Sequence, residues 1–103
     1  MDKKIVEVAK NYARKVTSHM PVQMVVLYGS YARGGARKNS DIDIAIVVDK
    51  FQGDYLKASS DLFNMIRGVD TRIEPVLLSR KHDKSGFLAR ILKQGKIIYK
   101  SEN

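Results

Sequence analysis

The chain has 103 residues, of which 44% are hydrophobic, so we expect residues 1–103 to form one domain with a modest core. Its formal net charge of +8 favours a polyanion or an acidic protein as partner, although an ordinary basic surface is an equally good interpretation. The lack of cysteine excludes disulfides and thiolate metal sites. Because no long apolar span or signal-like N-terminus occurs, we expect a cytoplasmic protein outside the membrane.

The first half of the chain predicts a helix, a strand, a turn and a second strand. Four apolar residues at helical spacing predict an amphipathic first helix: Ile5, Ala9, Tyr12 and Val16. The apolar run 24–28 predicts a strand that stops at Gly29, where a turn follows. The β-branched run 42–48 predicts the second strand.

The second half predicts two more helices and two more strands. Asp54 is a candidate cap for a helix whose predicted inner face contains Leu56, Ser59, Phe63 and Ile66. A third strand over 71–78 leads to a basic loop over 79–85. The last predicted helical face contains Phe87, Leu88, Ile91 and Leu92, and a short strand over 96–100 follows Gly95. This order predicts an α+β fold, with a small mixed sheet of about four strands covered by helices.

The turn after the first strand has the composition of an anion-binding site. Gly29 allows the backbone to approach a ligand closely, and a helix that begins at Ser30 or Tyr31 would direct free N–H groups at it. Ser30 could bind a phosphate, but the N-cap of that short helix is the better interpretation of this residue alone. Arg33 could bind a phosphate or fix local structure. Tyr31 is the one tyrosine worth testing for nucleobase stacking, although core packing is favoured.

Asp41 and Asp43 are separated by one residue at the start of the second strand, so their side chains leave the same face. That face continues into Ala45 and Val47, which makes a fully solvated strand face a weaker explanation. Two carboxylates ~4 Å apart repel by roughly 4 kcal/mol at an effective dielectric near 20, a cost that a divalent cation reverses. Oxygen ligands of this kind suit Mg²⁺ or Mn²⁺ rather than zinc.

A third carboxylate would complete a two-metal site. Glu74 on the third strand is the candidate, and Asp70 has the same parity but precedes the strand. Pro75 cannot donate to a sheet ladder, so this strand should lie at an edge or contain a bulge near Glu74.

The pattern Gly29-Ser30-x-Ala32-Arg33-Gly34-x5-Ser40-Asp41-x-Asp43 resembles the signature of the minimal nucleotidyltransferases of the DNA polymerase beta superfamily. The resemblance covers most of the chain and implies the palm-like nucleotidyltransferase fold.

The resemblance also implies residue roles. It makes Gly29, Ser30, Arg33 and Ser40 the nucleotide-binding residues, and it makes Asp41, Asp43 and Glu74 the catalytic ligands of two Mg²⁺ ions. Mn²⁺ could replace Mg²⁺, and ATP is the expected substrate. The family more often has Asp at the third acidic position, so Glu74 is a departure from its pattern.

Family members of this size resemble antitoxins that are paired with a helical HEPN ribonuclease and transfer AMP onto a tyrosine of it. The resemblance therefore implies a protein adenylyltransferase with a HEPN partner. One alternative is a binding module that neutralises its partner without catalysis, but it would gain nothing from buried carboxylates. A small-molecule acceptor is a second alternative. Nucleic-acid binding is a third, and it depends on charge alone at Arg37, Lys38, Arg80, Lys81 and Lys84.

Overall fold

The computed structural model describes residues 2–102, within which helices and strands alternate along the chain. Their bounds are α1 Lys3–Thr17, β1 Met24–Tyr28, α2 Ser30–Arg33, β2 Ile42–Val48, α3 Tyr55–Asn64, β3 Ile73–Ser79, α4 Phe87–Gln94 and β4 Lys96–Lys100. A 3-10 turn over Arg80–His82 joins β3 to α4. The predicted α+β class and the order of elements are confirmed.

The four strands form one mixed sheet in the order β3-β2-β1-β4. Strand β1 pairs antiparallel with both β2 and β4, whereas β2 and β3 are parallel and are connected through α3. As Pro75 predicted, β3 is an edge strand. Its pairing with β2 runs from Ile42 opposite Ile73 to Val48 opposite Ser79 without a register shift, so no bulge redirects Glu74.

Helices cover both faces of the sheet. The alternate residues Ile42, Ile44 and Ile46 of β2 pack in a cluster with residues of α1 and α3. Ala45 and Val47 point to the opposite face, where they pack with Leu88 and Ile91 of α4. The structure thus covers the face that carries Asp43 with a helix of its own.

A buried hydrogen bond links the two helices on the first face. The Tyr12 hydroxyl donates to the Leu62 carbonyl at 2.6 Å, and burial raises the pKa of Tyr12 above its usual range. Among residues 2–102, no helix is both long enough and apolar enough to span a bilayer.

The predicted inner face of α3 is wrong in part. Leu56 is 77% exposed and Phe63 is 48% exposed, whereas Leu62 and Met65 are buried. The prediction extended the helical spacing to Ile66, but α3 ends at Asn64 and a turn follows. Ile66 therefore lies outside the helix, and its position does not indicate which face of α3 is buried. Asp54 does cap α3, since its side chain accepts a hydrogen bond from the Lys57 N–H at 3.2 Å.

The predicted face of α4 also needs one correction. Leu88 and Ile91 are buried as expected, but Leu92 is 37% exposed. Helix α4 has only eight residues and packs against the sheet through a narrow stripe, which leaves Leu92 at its margin.

Candidate active site

The candidate site lies at the end of the sheet where β1 ends and β2 begins. In the sheet register, Asp43 of β2 lies between Tyr28 of β1 and Glu74 of β3. Asp41 directly precedes β2 and is exposed, whereas Asp43 is half-buried within the strand. The fold therefore brings Glu74 beside Asp43 although about 30 positions separate them in the sequence.

Gly29 lies directly against the Asp43 carboxylate. Its backbone has φ +76°, a conformation that side chains rarely tolerate. A β-carbon built at this position would lie 2.1 Å from Asp43 Oδ2, far inside van der Waals contact. Both observations favour glycine at this position, because the Asp43 carboxylate occupies the space that a β-carbon would need.

The electrostatics of Asp43 identify it as the most perturbed carboxylate of the site. Burial raises its pKa, and the charges of Asp41 and Glu74 raise it further. Arg33 opposes this shift and lowers the pKa. Burial, together with the charges of Asp43 and Glu74, also raises the pKa of Tyr28 to about 12. The site thus concentrates negative charge that favours binding of a cation.

The turn after β1 forms the short helix α2. Gly29 is the residue that precedes α2, no side-chain capping bond is made at this end, and Ser30 is already the first helical residue. The N-cap interpretation of Ser30 is therefore wrong, because the helix begins one residue earlier than that interpretation requires. The first bond within the turn runs from the Arg33 N–H to the Gly29 carbonyl at 3.1 Å, so the preceding N–H groups have no intrahelical acceptor.

Side chains on either side fix the loop that follows α2. The Ser40 hydroxyl oxygen accepts from the Arg37 N–H at 2.8 Å, and the Tyr31 hydroxyl donates to the Arg37 carbonyl at 3.2 Å. Tyr31 also packs against the core on the α1 side of the sheet, which agrees with core packing rather than base stacking. Ser40 therefore closes the loop before Asp41, and its contact with a nucleotide stays a prediction.

Asp70, the rival to Glu74, is engaged elsewhere. Its carboxylate accepts from Arg72 Nη2 at 2.8 Å and from Arg72 Nε at 3.0 Å, and these hydrogen bonds lower its pKa. The charge of Glu74, by contrast, is among the causes that raise the pKa of Asp43. Of the two candidates, the structure places Glu74 at the site and Asp70 in a separate ion pair.

The donor set fits a hard divalent cation. Asp41, Asp43 and Glu74 supply only carboxylate oxygens, and a cation would relieve the repulsion that raises the pKa of Asp43. Within the described part of the chain, no three acidic, His or Cys side chains converge tightly enough to form a ready-made cage. This arrangement is compatible with Mg²⁺, which takes one or two carboxylates together with phosphate oxygens rather than an all-protein cage.

A cleft of about 370 Å³ opens beside Asp43. Residues of the turn and of α4 line it: Tyr28, Gly29, Arg33, Asp43, Phe87, Arg90, Ile91 and Gln94. The sequence prediction missed the contribution of α4. The spacing of residues 87, 90, 91 and 94 indicates one helical face, but which face of the sheet α4 covers depends on tertiary packing. A larger cavity, of about 460 Å³, lies at the opposite end of the sheet beside Phe51 and Tyr55. Asp41, Asp43 and Glu74 do not line it.

Comparison with known proteins shows the family of this chain. The sequence model of the family described as polymerase beta nucleotidyltransferase matches residues 3–103. The chain belongs to this family. This polymerase beta-type nucleotidyltransferase is 32% identical, over 80 residues, to a proposed protein adenylyltransferase of Methanocaldococcus jannaschii, with 76% of this chain and 79% of that protein covered. The family resemblance that the motif predicted is confirmed, and so is the predicted class of enzyme.

Solved structures share the fold of this nucleotidyltransferase. A proposed nucleotidyltransferase from Sulfolobus solfataricus superposes with a TM-score of 0.70 at 24% identity, covering 100% of this chain and 93% of that one. A toxin–antitoxin complex with AMP-PNP gives a TM-score of 0.68 at 25% identity, covering 90% and 74%. A tri-AMPylated HEPN toxin of Shewanella oneidensis in complex with an MNT antitoxin gives 0.63 at 21% identity, covering 94% and 74%.

Proposed function

We propose that this nucleotidyltransferase transfers AMP from ATP to a hydroxyl group of a helical HEPN-type partner protein. The observation that carries the proposal is the position of Asp43, which lies against Gly29 of the turn after β1 and beside Glu74 in the sheet. We take this turn as the phosphate-binding turn. The relative named as a proposed protein adenylyltransferase supports a protein acceptor. The toxin–antitoxin complex with AMP-PNP and the AMPylated HEPN toxin support the nucleotide and the partner.

In the proposed reaction, the turn at Gly29 and Ser30 binds the phosphates with backbone N–H groups and a hydroxyl. Arg33, at the end of the same turn, offers its guanidinium to them. Asp41 and Asp43, with Glu74, would hold Mg²⁺. When bound, this ion supplies positive charge that offsets the charge of the triphosphate.

The bond changes follow from transfer of the α-phosphoryl group. The acceptor oxygen forms a bond to the α-phosphorus, the bond from that phosphorus to the bridging oxygen breaks, and pyrophosphate leaves. Glu74 accepts the proton of the acceptor hydroxyl, since it is an exposed carboxylate next to Asp43. Tyr28 does not take this proton, because its own pKa of about 12 keeps it protonated near neutral pH.

The test is transfer of label from ATP in a lysate of the source organism. The wild-type chain, the double variant Asp41→Asn/Asp43→Asn and the variant Asp61→Asn are each incubated with Mg²⁺ and with α-³²P-ATP or γ-³²P-ATP. Asp61 is a matched control, because it forms an exposed ion pair with Lys57 on α3. Circular dichroism verifies that all three chains are folded.

We expect α label on one protein band with the wild type and with Asp61→Asn, and no such band with the double variant. Label from γ-³²P-ATP would instead indicate a kinase reaction and contradict the proposal. If no labelled band appears with the wild-type chain that is absent with the double variant, a protein acceptor is excluded. In that case, copurification of a partner with both the wild type and the double variant would favour the non-catalytic binding module.

A further inference from the structure

Helix α4 places a second arginine in the cleft. Phe87, Arg90, Ile91 and Gln94 of α4 line the cleft together with Gly29, Arg33 and Asp43. The residues of α4 are spaced by three, one and three positions, so they occupy one face of the helix. Arg90 therefore lies on a wall of the same cleft that the turn after β1 lines.

Arg90 has no acidic partner within residues 2–102. The ion pairs found there are Lys57–Asp61, Arg72–Asp70 and Lys81–Asp49. The Arg90 guanidinium instead donates one hydrogen bond to the Ser85 carbonyl at 3.2 Å. Since a guanidinium has five N–H donors, most of its capacity to bind an anion is retained.

An aromatic ring contacts this guanidinium. Arg90 lies over the ring of Phe87, with 5.8 Å between its Cζ and the ring centroid. Phe87 in turn packs edge-on against Tyr28, with ring centroids 5.8 Å apart. Tyr28 is the strand partner of Asp43. A series of ring contacts thus connects Arg90 to the strand that pairs with the one carrying Asp43.

Arg33 of α2 and Arg90 of α4 both line the cleft, as does Asp43. The charge of Arg33 lowers the pKa of Asp43. Under the proposed function, a triphosphate bound at the turn has its α-phosphoryl group near the carboxylates, and we expect its remaining phosphates to extend into the cleft. They carry most of the negative charge of the nucleotide, and the Arg90 guanidinium, which has no acidic partner among the described residues, complements that charge.

We propose that Arg90 binds the terminal phosphates of the nucleotide from the α4 side of the cleft, so that the site prefers a triphosphate to a monophosphate. This inference rests on the nucleotide site of the proposed function but not on the identity of the acceptor. Stacking of a nucleobase at the same place is disfavoured, because Arg90 already covers a face of Phe87.

Direct binding measurements test the inference without an acceptor. Dissociation constants for ATP, inorganic tripolyphosphate and AMP are measured with Mg²⁺ by isothermal titration calorimetry. The chains compared are the wild type, Arg90→Gln, Arg90→Lys and, as matched control, Lys93→Gln. Lys93 is an exposed cation on α4 that does not line the cleft.

We expect Arg90→Gln to weaken ATP and tripolyphosphate binding by similar factors, about tenfold to a hundredfold, because charge-assisted hydrogen bonds are lost. AMP binding should change by less than about threefold, Arg90→Lys should restore part of the affinity, and Lys93→Gln should match the wild type. Weakened ATP and AMP binding with unchanged tripolyphosphate binding would overturn the inference in favour of a nucleoside contact. Unchanged affinities, or a wild type that does not bind tripolyphosphate, would also overturn it.

These outcomes are separate from those of the labelling experiment. If ATP and tripolyphosphate bind as expected but no protein is labelled, the proposed acceptor is wrong and the role of Arg90 stands. If label is transferred and Arg90→Gln leaves tripolyphosphate binding unchanged, the proposed function stands and the role of Arg90 is wrong.

Discussion

The guanidinium of Arg72 donates a hydrogen bond from Nη1 to the Tyr31 hydroxyl at 3.2 Å. The same nitrogen donates to the Lys38 carbonyl at 3.2 Å, while Nε and Nη2 bind the Asp70 carboxylate. Arg72 directly precedes β3, which carries Glu74. One side chain therefore joins α2, the loop that leads to Asp41, and the beginning of the strand that supplies the third carboxylate.

Loss of the Tyr31 hydroxyl should affect both stability and nucleotide binding. We expect Tyr31→Phe to lower the free energy of unfolding by about 1 kcal/mol and to weaken ATP binding, because the turn loses its hydrogen bonds to Arg37 and Arg72. Urea denaturation and calorimetric titration with ATP measure the two effects. Tyr55→Phe is the matched control, since its hydroxyl donates to the Leu77 carbonyl near the opposite end of the sheet. Equal ATP affinities of the two variants would refute this positioning role.

The Asp70–Arg72 pair should make stability depend on pH in the acid range. Hydrogen bonds from Arg72 lower the pKa of Asp70 in the folded state, so between the two pKa values the unfolded chain binds more protons. The pair's contribution is complete above the unfolded pKa of about 4 and is lost as the pH falls through the folded pKa. The stability difference between wild type and Asp70→Asn should therefore shrink from about pH 5 towards pH 3.

Urea denaturation at several pH values measures this difference. Asp61→Asn removes an ion pair whose side chains are 75% and 48% exposed, so we expect it to change stability by less than about 0.5 kcal/mol throughout. If the stability difference between wild type and Asp70→Asn stays constant with pH, the hydrogen bonds from Arg72 do not lower the pKa of Asp70 in the folded state.

Replacement of Gly29 should be far more costly than replacement of another glycine with a similar backbone. Gly29→Ala places a β-carbon 2.1 Å from Asp43 Oδ2 and also strains the backbone at φ +76°. Gly53 has φ +68°, but no atom lies within 4 Å of the place that its β-carbon would occupy, so Gly53→Ala measures backbone strain alone. We expect about 1 kcal/mol of destabilisation for Gly53→Ala and at least about 2 kcal/mol more for Gly29→Ala.

Denaturation midpoints give these values, and ATP titration should show that only Gly29→Ala loses binding. Equal destabilisation of the two variants would mean that the Asp43 side chain can move aside at no cost.

Glu74→Gln should reduce the rate of nucleotide transfer, because it replaces the carboxylate beside Asp43 with a neutral amide. We expect a decrease in kcat of about a hundredfold or more, as for loss of a general base. Stability should rise slightly, since the repulsion that raises the pKa of Asp43 is reduced. Glu7→Gln on the exposed side of α1 is the matched control and should leave kcat unchanged. Comparable kcat values for both variants would mean that another residue has the role predicted for the Glu74 carboxylate.

Sequence patterns predicted the strands of the sheet and the face from which Asp43 projects, because those features depend on local periodicity. Residues alternate across a strand, so Asp43 had to leave the face opposite Ile42 and Ile44, and the structure confirms this. Pro75 could not donate to a ladder, so its chemistry required an edge position or a bulge, and the structure has the edge position.

Features that depend on how elements pack were not predictable in the same way. The sequence prediction for α4 did not include Arg90 or Gln94, because only the packing of α4 on the Asp43 side of the sheet makes their face a wall of the cleft. The hydrogen bond from Arg72 to Tyr31 joins residues 41 positions apart, and no local pattern indicates it. The exposed position of Leu56 likewise depends on which face of α3 packs on the sheet, since Leu62 is the buried residue of this helix.

The contact between Gly29 and Asp43 also couples the mutations that the two positions can accept. A side chain at position 29 would collide with the Asp43 carboxylate unless that carboxylate rotated out of its place or had been lost. A descendant gene that replaced Gly29 would therefore be expected to have displaced or lost the Asp43 carboxylate. Substitution at both positions would mark a lineage that keeps this fold without its chemistry.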